Sequence, residues 1–294
     1  MTSLPPPPVE WVLITGGTHG IGLALALECL RQNLGVATVA LPDHHQQTAA
    51  RSLRAIAPGS FRMLSLDLTE GGAIEAVADW LETEHIVVSY LINNAGFGRG
   101  GLFEHIGCSE YRTMLVINNQ VMVELTYRLL PQIKACGGGV LNLSSMEATL
   151  PLPYKSVYTG TKAFVYNFSL ALREEFRHHG VSVTVLCPGP VITNEDGLRR
   201  LAAQGARAKL LVTTPDAIAP KAIRGMLAGK SVIRPGWLAR LLVTIGYLTP
   251  RRLRMRILER LFSRYREPTA PNVESYTFDG VKLGTGNENR SGAH

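Results

Sequence analysis

Near the start of the chain, Thr15-Gly16-Gly17-Thr18-His19-Gly20-Ile21-Gly22 joins a short apolar run, Trp11–Thr15, to a segment of helical period, Gly22–Gln32. A strand that turns at once into a helix needs backbone angles that glycine adopts most freely, and Gly16 and Gly20 allow that turn. Gly22 permits helix and strand to pack closely, and the free N–H groups of the helix start face an anion above the turn. The expected cradle for a dinucleotide pyrophosphate therefore comprises Gly16, Thr18, His19, Gly20, Ile21 and Gly22. The glycine spacing is GxxxGxG rather than GxGxxG.

The chain continues this alternation to about Val232. Apolar runs at Val36–Leu41, Phe61–Asp67, Val87–Asn93, Val140–Ser144 and Val181–Cys187 are candidate strands, with helical segments at Gly72–Glu84, Ser109–Cys136 and Val157–His179. Such alternation predicts an α/β fold, a doubly wound parallel sheet (Rossmann fold) with ligands at the carboxyl ends of its strands. Thr214-Pro215-Asp216 reads as the start of a further helix, Thr capping and Pro in the first turn. The polar stretch Asn194–Thr213 before it lies where a substrate lid is expected. The predicted boundaries are a proline-rich leader at 1–10, a single Rossmann domain at 11–235, a basic helical appendage at 236–266 and a disordered polar tail at 267–294.

Composition narrows the alternatives. With 46% hydrophobic and 18% charged residues, the chain is neither a disordered polymer nor a multi-span membrane protein. Its formal net charge of +7 permits an anionic partner, but nucleic-acid-binding motifs are absent. The four cysteines are scattered and lack metal-ligand spacing, so no metal site is expected and a reducing, cytoplasmic setting is. The N-terminal residues have neither the cationic nor the apolar region of a secretory signal.

The other cofactor candidates lie at strand ends. Asp67, with Leu68 beside it, is placed either to accept from an adenine amino group or, as a turn residue, to cap the next helix. Asn93-Asn94-Ala95-Gly96 ends the fourth strand, where Asn94, Ala95 and Gly96 leave room for a ribose. Asp43, after the second strand, suits ribose hydroxyls and repels a 2′-phosphate, whereas a basic His19 attracts one. These cues conflict, so NAD and NADP both stay open.

Tyr158-Thr-Gly-Thr-Lys162 places a phenol and an ammonium on one face of a helix. A phenol near pKa 10 is a poor base unless a cation stabilises its anion, which Lys162 and an oxidised nicotinamide would do. Ser145, thirteen residues upstream of Tyr158, is placed to hold a substrate oxygen, with Ser144 as its competitor. Asn118 sits in the preceding helix, where an amide can hold a water that links Lys162 to solvent. Asn119 is expected to point away.

In this order and spacing, TGGTHGIG, Asp67, NNAG, Asn118, Ser145, YTGTK and Cys187-Pro188-Gly189-Pro190-Val191-Ile192-Thr193 resemble the short-chain dehydrogenases/reductases. The resemblance runs from Trp11 to about Thr193. It implies an NAD(P)-dependent oxidoreductase with Tyr158 as acid/base, Lys162 on the nicotinamide ribose, Ser145 orienting the carbonyl and Asn118 in a proton relay. It also implies Pro188, Gly189, Val191 and Thr193 around the nicotinamide end, and a homodimer or homotetramer built on the two long helices. NNAGFGRGGLFEH, YTGTKAFVYNFSLALREE and GKSVIRPGWLARLLVTIGYLTPRRL look like a bacterial branch similar to hydroxysteroid, retinol and 3-ketosphinganine reductases, which suggests a lipophilic ketone or alcohol. The chain departs from the pattern at Asp43, where an Arg is expected, and at Asn194-Glu195-Asp196, where an aromatic is.

Beyond Pro235, the apolar Trp237–Thr249 is too short to span a bilayer. The arginine-rich segment after it is either a helix packed over the substrate pocket or a partner subunit, or a peripheral membrane contact. A non-catalytic dinucleotide-binding scaffold and an epimerase or dehydratase are the rival functional readings.

Overall fold

The computed structural model describes residues 10–191, 213–235, 248–266, 277–278 and 281–282. The leader, Thr193, the lid candidate up to residue 212, the apolar run from Trp237 to residue 247, and most of the tail lie outside these.

The chain runs β1 (Trp11–Thr15), α1 (Gly20–Arg31), β2 (Gly35–Ala40), α2 (His45–Ile56), β3 (Phe61–Ser65), α3 (Ala73–Thr83) and β4 (Val88–Asn93). Then come α4 (Cys108–Leu115), α5 (Val121–Ala135), β5 (Gly139–Leu143), α6 (Ser156–Phe176), β6 (Ser182–Leu186), α7 (Pro215–Leu227), β7 (Val232–Ile233) and α8 (Arg251–Phe262). A two-residue pair, β8 (Thr277–Phe278) with β9 (Val281–Lys282), is separate from the main sheet.

The main sheet has seven strands in the order β3-β2-β1-β4-β5-β6-β7, and every pairing in it is parallel. Alternate residues of β1 feed two cores. Leu13 packs with Val77, Leu125 and Ile133 on one face, while Val12 and Ile14 pack with Leu25, Ile218 and Ile223 on the other. The sheet is thus covered on both sides, which is why its central strands read as continuous apolar runs. The chain runs outward from β1 through β2 to β3 and then crosses back to β4 on the other side of β1, so a crevice opens at the carboxyl ends of β1 and β4.

Four sequence expectations are corrected. A helix, α2, stands between the second and third strands, where the succession of apolar runs marks only a connection; Ala49, Leu53 and Ile56 do recur at helical spacing, but in a polar segment that buries only the first two. The helix read as starting at Gly22 starts at Gly20, inside the glycine turn. The third strand ends at Ser65, so Asp67 belongs to the turn after it. The helix read across Ser109–Cys136 is divided into α4 and α5 by a π turn, Val116–Gln120. Thr214 caps α7 as expected: its hydroxyl accepts from the Ala217 amide at 3.3 Å.

Candidate active site

The glycine turn forms as its sequence requires. Gly16 and Gly20 take φ of +69° and +55°. Gly22 packs so closely that a Cβ there would collide with the Gly16 carbonyl oxygen. His19 is the residue preceding α1, it makes no side-chain cap bond, and no acid stands in the first turn. The first amides of α1 are therefore a positive helix end directed at the crevice, which suits a pyrophosphate. Thr18 is buried in the turn and Ile21 packs partly into the core beneath. Asn94 binds the turn to β4: its Nδ2 donates to the carbonyls of Thr15 at 2.9 Å and Gly16 at 3.0 Å. The amides of Asn94 and Ala95 donate back to the Thr15 hydroxyl.

At the outer end of the crevice, three imidazoles gather. His19 stacks on His45 with ring centroids 5.0 Å apart, and His44 lies 3.9 Å from His45. Asp43 is turned into this group, accepting from the His45 amide at 2.9 Å. Burial and the neighbouring His45 hold His19 below the ordinary imidazole range, with Asp43 opposing them. Asp67 accepts from both the amide and the hydroxyl of Thr69, at 2.8 and 2.7 Å, which is the turn-capping geometry. Leu68 is buried in the core.

The second cluster is assembled by α6 and the ends of β4 and β5. Lys162 is buried, and its Nζ donates to the Leu143 carbonyl at 2.9 Å. Removal from water lowers its pKa to about 8. Tyr158 lies one turn earlier on α6. Burial and the Glu147 carboxylate push its phenol well above the usual range, while a hydrogen bond with Ser145 pulls it back. Ser145 opens the turn after β5, and its Oγ accepts from the Glu147 amide at 3.1 Å. Ser144 instead donates to the Lys162 carbonyl at 2.8 Å and so fixes α6 against the sheet.

Asn118 is fully engaged. Its Oδ1 accepts from the Phe97 amide, and its Nδ2 donates to the Phe97 carbonyl and the Thr161 hydroxyl, each at 3.0 Å. It anchors the loop after β4 to α6. A closed cavity of about 10 Å³, room for one water, lies between Asn118, Asn93 and Lys162. Asn119 faces the outer groove lined by Leu115 and Phe164 and also reaches α6: its Nδ2 donates to the Thr161 carbonyl at 2.9 Å. The wider π turn brings both asparagines to α6, where an ideal α-helix would separate them by about 100°.

Pro188 is buried, and its carbonyl accepts from the Met146 amide at 2.9 Å, which holds the end of β6 beside Ser145. Gly189 follows it, and Val191 bridges to Thr213. The structure thus brings Ser145, Tyr158, Lys162, Asn118 and Pro188 together, with Gly96 placed so closely that a Cβ there would meet Asn118 Oδ1. Among the described residues, no group of three or more His, Cys, Asp or Glu side chains is arranged to hold a metal ion.

Residues 10–203 match the family model described as short chain dehydrogenase. The chain belongs to that family. Within it, the chain is 33% identical over 189 residues to the probable oxidoreductase EphD of Mycobacterium tuberculosis, an alignment spanning 62% of this chain and 31% of EphD. It is 29% identical over 187 residues to mouse 17-beta-hydroxysteroid dehydrogenase type 3, spanning 63% and 61%. The chain therefore spans under two thirds of the length of either relative. A short-chain dehydrogenase from Sphingobium yanoikuyae, solved in complex with NADPH, superposes with a TM-score of 0.68 at 26% identity, covering 82% of this chain and 94% of that one.

Two features of this short-chain dehydrogenase escape sequence reasoning. Gly98 lies against the Tyr158 ring, where a Cβ would come within 2.8 Å; its only trace in the sequence is its place among the glycines that follow β4. Lys155 holds both oxygens of Glu147, at 3.0 and 3.2 Å, beside Tyr158. Its position three residues before Tyr158 was the available signal. The C-terminal helix closes over this region, one of the placements expected for it from the sequence, though its partners are not legible there. Tyr154 donates to Glu259 at 2.8 Å, and Arg266 reaches both Tyr154 and Glu259, at 3.0 and 2.9 Å. The Leu102 amide donates to the Arg266 carbonyl, and Lys155 Nζ stands 4.7 Å from the Tyr265 ring. No spacing rule links residues more than a hundred positions apart.

Proposed function

We propose that this chain is an NAD(P)-dependent oxidoreductase that interconverts a hydrophobic ketone or aldehyde and its alcohol. The observation that carries this reading is the meeting of Tyr158, Ser145 and Lys162 beside an uncapped helix start, at the topological switch of a parallel sheet. The Sphingobium relative's complex with NADPH and the steroid activity named for the mouse relative support the cofactor and substrate classes.

A nicotinamide cofactor supplies the hydride when bound. The residues do the rest. Gly16, Thr18, His19, Gly20, Ile21 and Gly22 hold the pyrophosphate, while Asn94, Ala95, Gly96 and the Asp67–Leu68 turn border the adenosine. Ser145 donates a hydrogen bond to the carbonyl oxygen and orients it. The phenol of Tyr158 is kept protonated by burial and by Glu147, as an acid for the reducing direction must be. It gives its proton to that oxygen as the carbonyl carbon gains hydride, and the oxygen leaves as a hydroxyl. Lys162, cationic below about pH 8, stabilises the phenolate that remains. The small cavity between Asn118 and Lys162 would house the water that returns the proton.

The apolar aromatic rings of Phe262 and Tyr265 near Lys155 favour a lipophilic substrate over a small polar one. We also assign a homodimer contact to the outer face of α4, α5 and α6. Leu115, Tyr127 and Phe164 are exposed there, around a groove of about 660 Å³.

The test is loss of NADH or NADPH absorbance across steroid, retinoid, long-chain 3-keto and polyketide-like carbonyls. Tyr158→Phe is expected to lower kcat by about 10²–10⁴-fold. Full turnover by that variant, or product formation with no net cofactor oxidation, sinks the reading.

A further inference from the structure

The C-terminal helix α8 has two different sides. Its inner side buries Leu258 and ties Glu259 to Tyr154 and Arg266, at the mouth beside Tyr158. Its outer side carries two parallel rows. Leu253, Ile257 and Leu261 recur every fourth residue and are 52%, 44% and 62% exposed. Arg252, Arg256 and Arg260 recur with the same spacing, one residue earlier, and are exposed as well. Fourth-residue spacing keeps each row on one stripe of the helix, and the one-residue offset sets the rows side by side.

The charge along this helix is one-sided. Arg251, Arg252, Arg254, Arg256 and Arg260 stand against a single acid, Glu259, whose partly exposed carboxylate already accepts from Tyr154 and Arg266. The outer surface therefore offers an apolar ridge flanked by guanidinium groups, and the one carboxylate of the helix is occupied by Arg266 and Tyr154.

We propose that this outer face of α8 docks on an anionic lipid surface. Leu253, Ile257 and Leu261 enter the boundary between headgroups and acyl chains. Arg252, Arg256 and Arg260 lay their apolar stems along it and pair with lipid phosphates. A second copy of the chain fits the face less well, because a twofold contact would bring the arginine rows of two helices together. Nucleic acid would pair with the arginines but leave the leucine ridge against water. Because the same helix covers the mouth, docking sets the substrate entrance at the bilayer; that clause alone rests on the lipophilic substrate proposed above.

Co-sedimentation of the full chain with vesicles tests the proposal without reference to activity. The protein is expected to partition onto vesicles containing phosphatidylglycerol far more than onto phosphatidylcholine alone, and less as salt is raised. Each of Arg252→Gln, Arg256→Gln and Arg260→Gln should weaken partition about fivefold, the equivalent of about 1 kcal/mol per basic residue near such a surface. Ile257→Glu with Leu261→Glu should abolish the binding that survives high salt. These side chains are exposed, so unchanged melting curves would verify that the variants fold. Failure of the wild type to bind phosphatidylglycerol vesicles at low salt overturns the proposal. So does equal partition of wild type and variants, or a fall in solution mass for the double glutamate variant, which would assign the face to a second copy.

Discussion

At the residue scale, Lys162 makes a trade that can be measured. Its ammonium titrates at about 8 in the folded chain against 10.5 as a free side chain. Below pH 8 both states hold the proton, so the cost of burying the charge is fully present. Between about pH 8 and 10.5 the folded state releases the proton first, and that cost fades. The shift corresponds to at most about 3 kcal/mol, from which loss of the bond to the Leu143 carbonyl subtracts about 1 kcal/mol. Lys162→Met should therefore melt higher than the wild type at neutral pH, by a margin that shrinks toward pH 10, while losing turnover. Thermal melts of the cofactor-free proteins across that range check it. His19 offers a second measurement. A 2′-phosphate is held by a protonated imidazole, and His19 is depressed by burial and by His45. NADPH affinity should therefore rise only as pH falls below about 6.5, the ordinary imidazole value, and NADH affinity should stay level. Fluorescence titration of both cofactors reads this directly, and parallel pH profiles would remove the imidazoles from the phosphate's recognition.

At the scale of elements, the close approaches are the sensitive points. Gly98→Ala would drive a methyl into the Tyr158 ring, so kcat should fall with little change in cofactor affinity; stopped-flow binding alongside steady-state rates separates the two. The elements also show how far a reader of the sequence can go. Trp11–Thr15 and the capped start of α7 at Thr214 were legible because a fully buried strand and a Thr-Pro-Asp start have local signatures. Helix α2 is easily passed over although Ala49, Leu53 and Ile56 recur at helical spacing, because that short stripe is set among polar residues. The π turn was hidden for a different reason: Val116–Gln120 has ordinary helical composition, and the extra residue is held by Asn118 and Asn119 reaching α6, a tertiary cause. The motif residues of the site could be found because local spacing places them. Lys155 with Glu147, and Gly98 under Tyr158, depend on how two loops cross.

At the scale of the whole molecule, the exposed face of α4, α5 and α6 predicts assembly. Phe164→Glu combined with Tyr127→Arg should halve the solution mass measured by light scattering, and wild type already monomeric would refute the dimer contact. The bond between Tyr154 and Glu259 spans 105 residues of chain. During folding, the elements that carry Tyr158, Ser145 and Lys162 can pack around the sheet before that bond forms, since β1 to β7 end at Ile233. The elements that carry the proposed chemistry are thus complete without α8, and there is a moment in folding at which the site lacks its cover. A chain stopped before Arg251 would preserve that moment: it should accept bulkier carbonyls than the finished protein does.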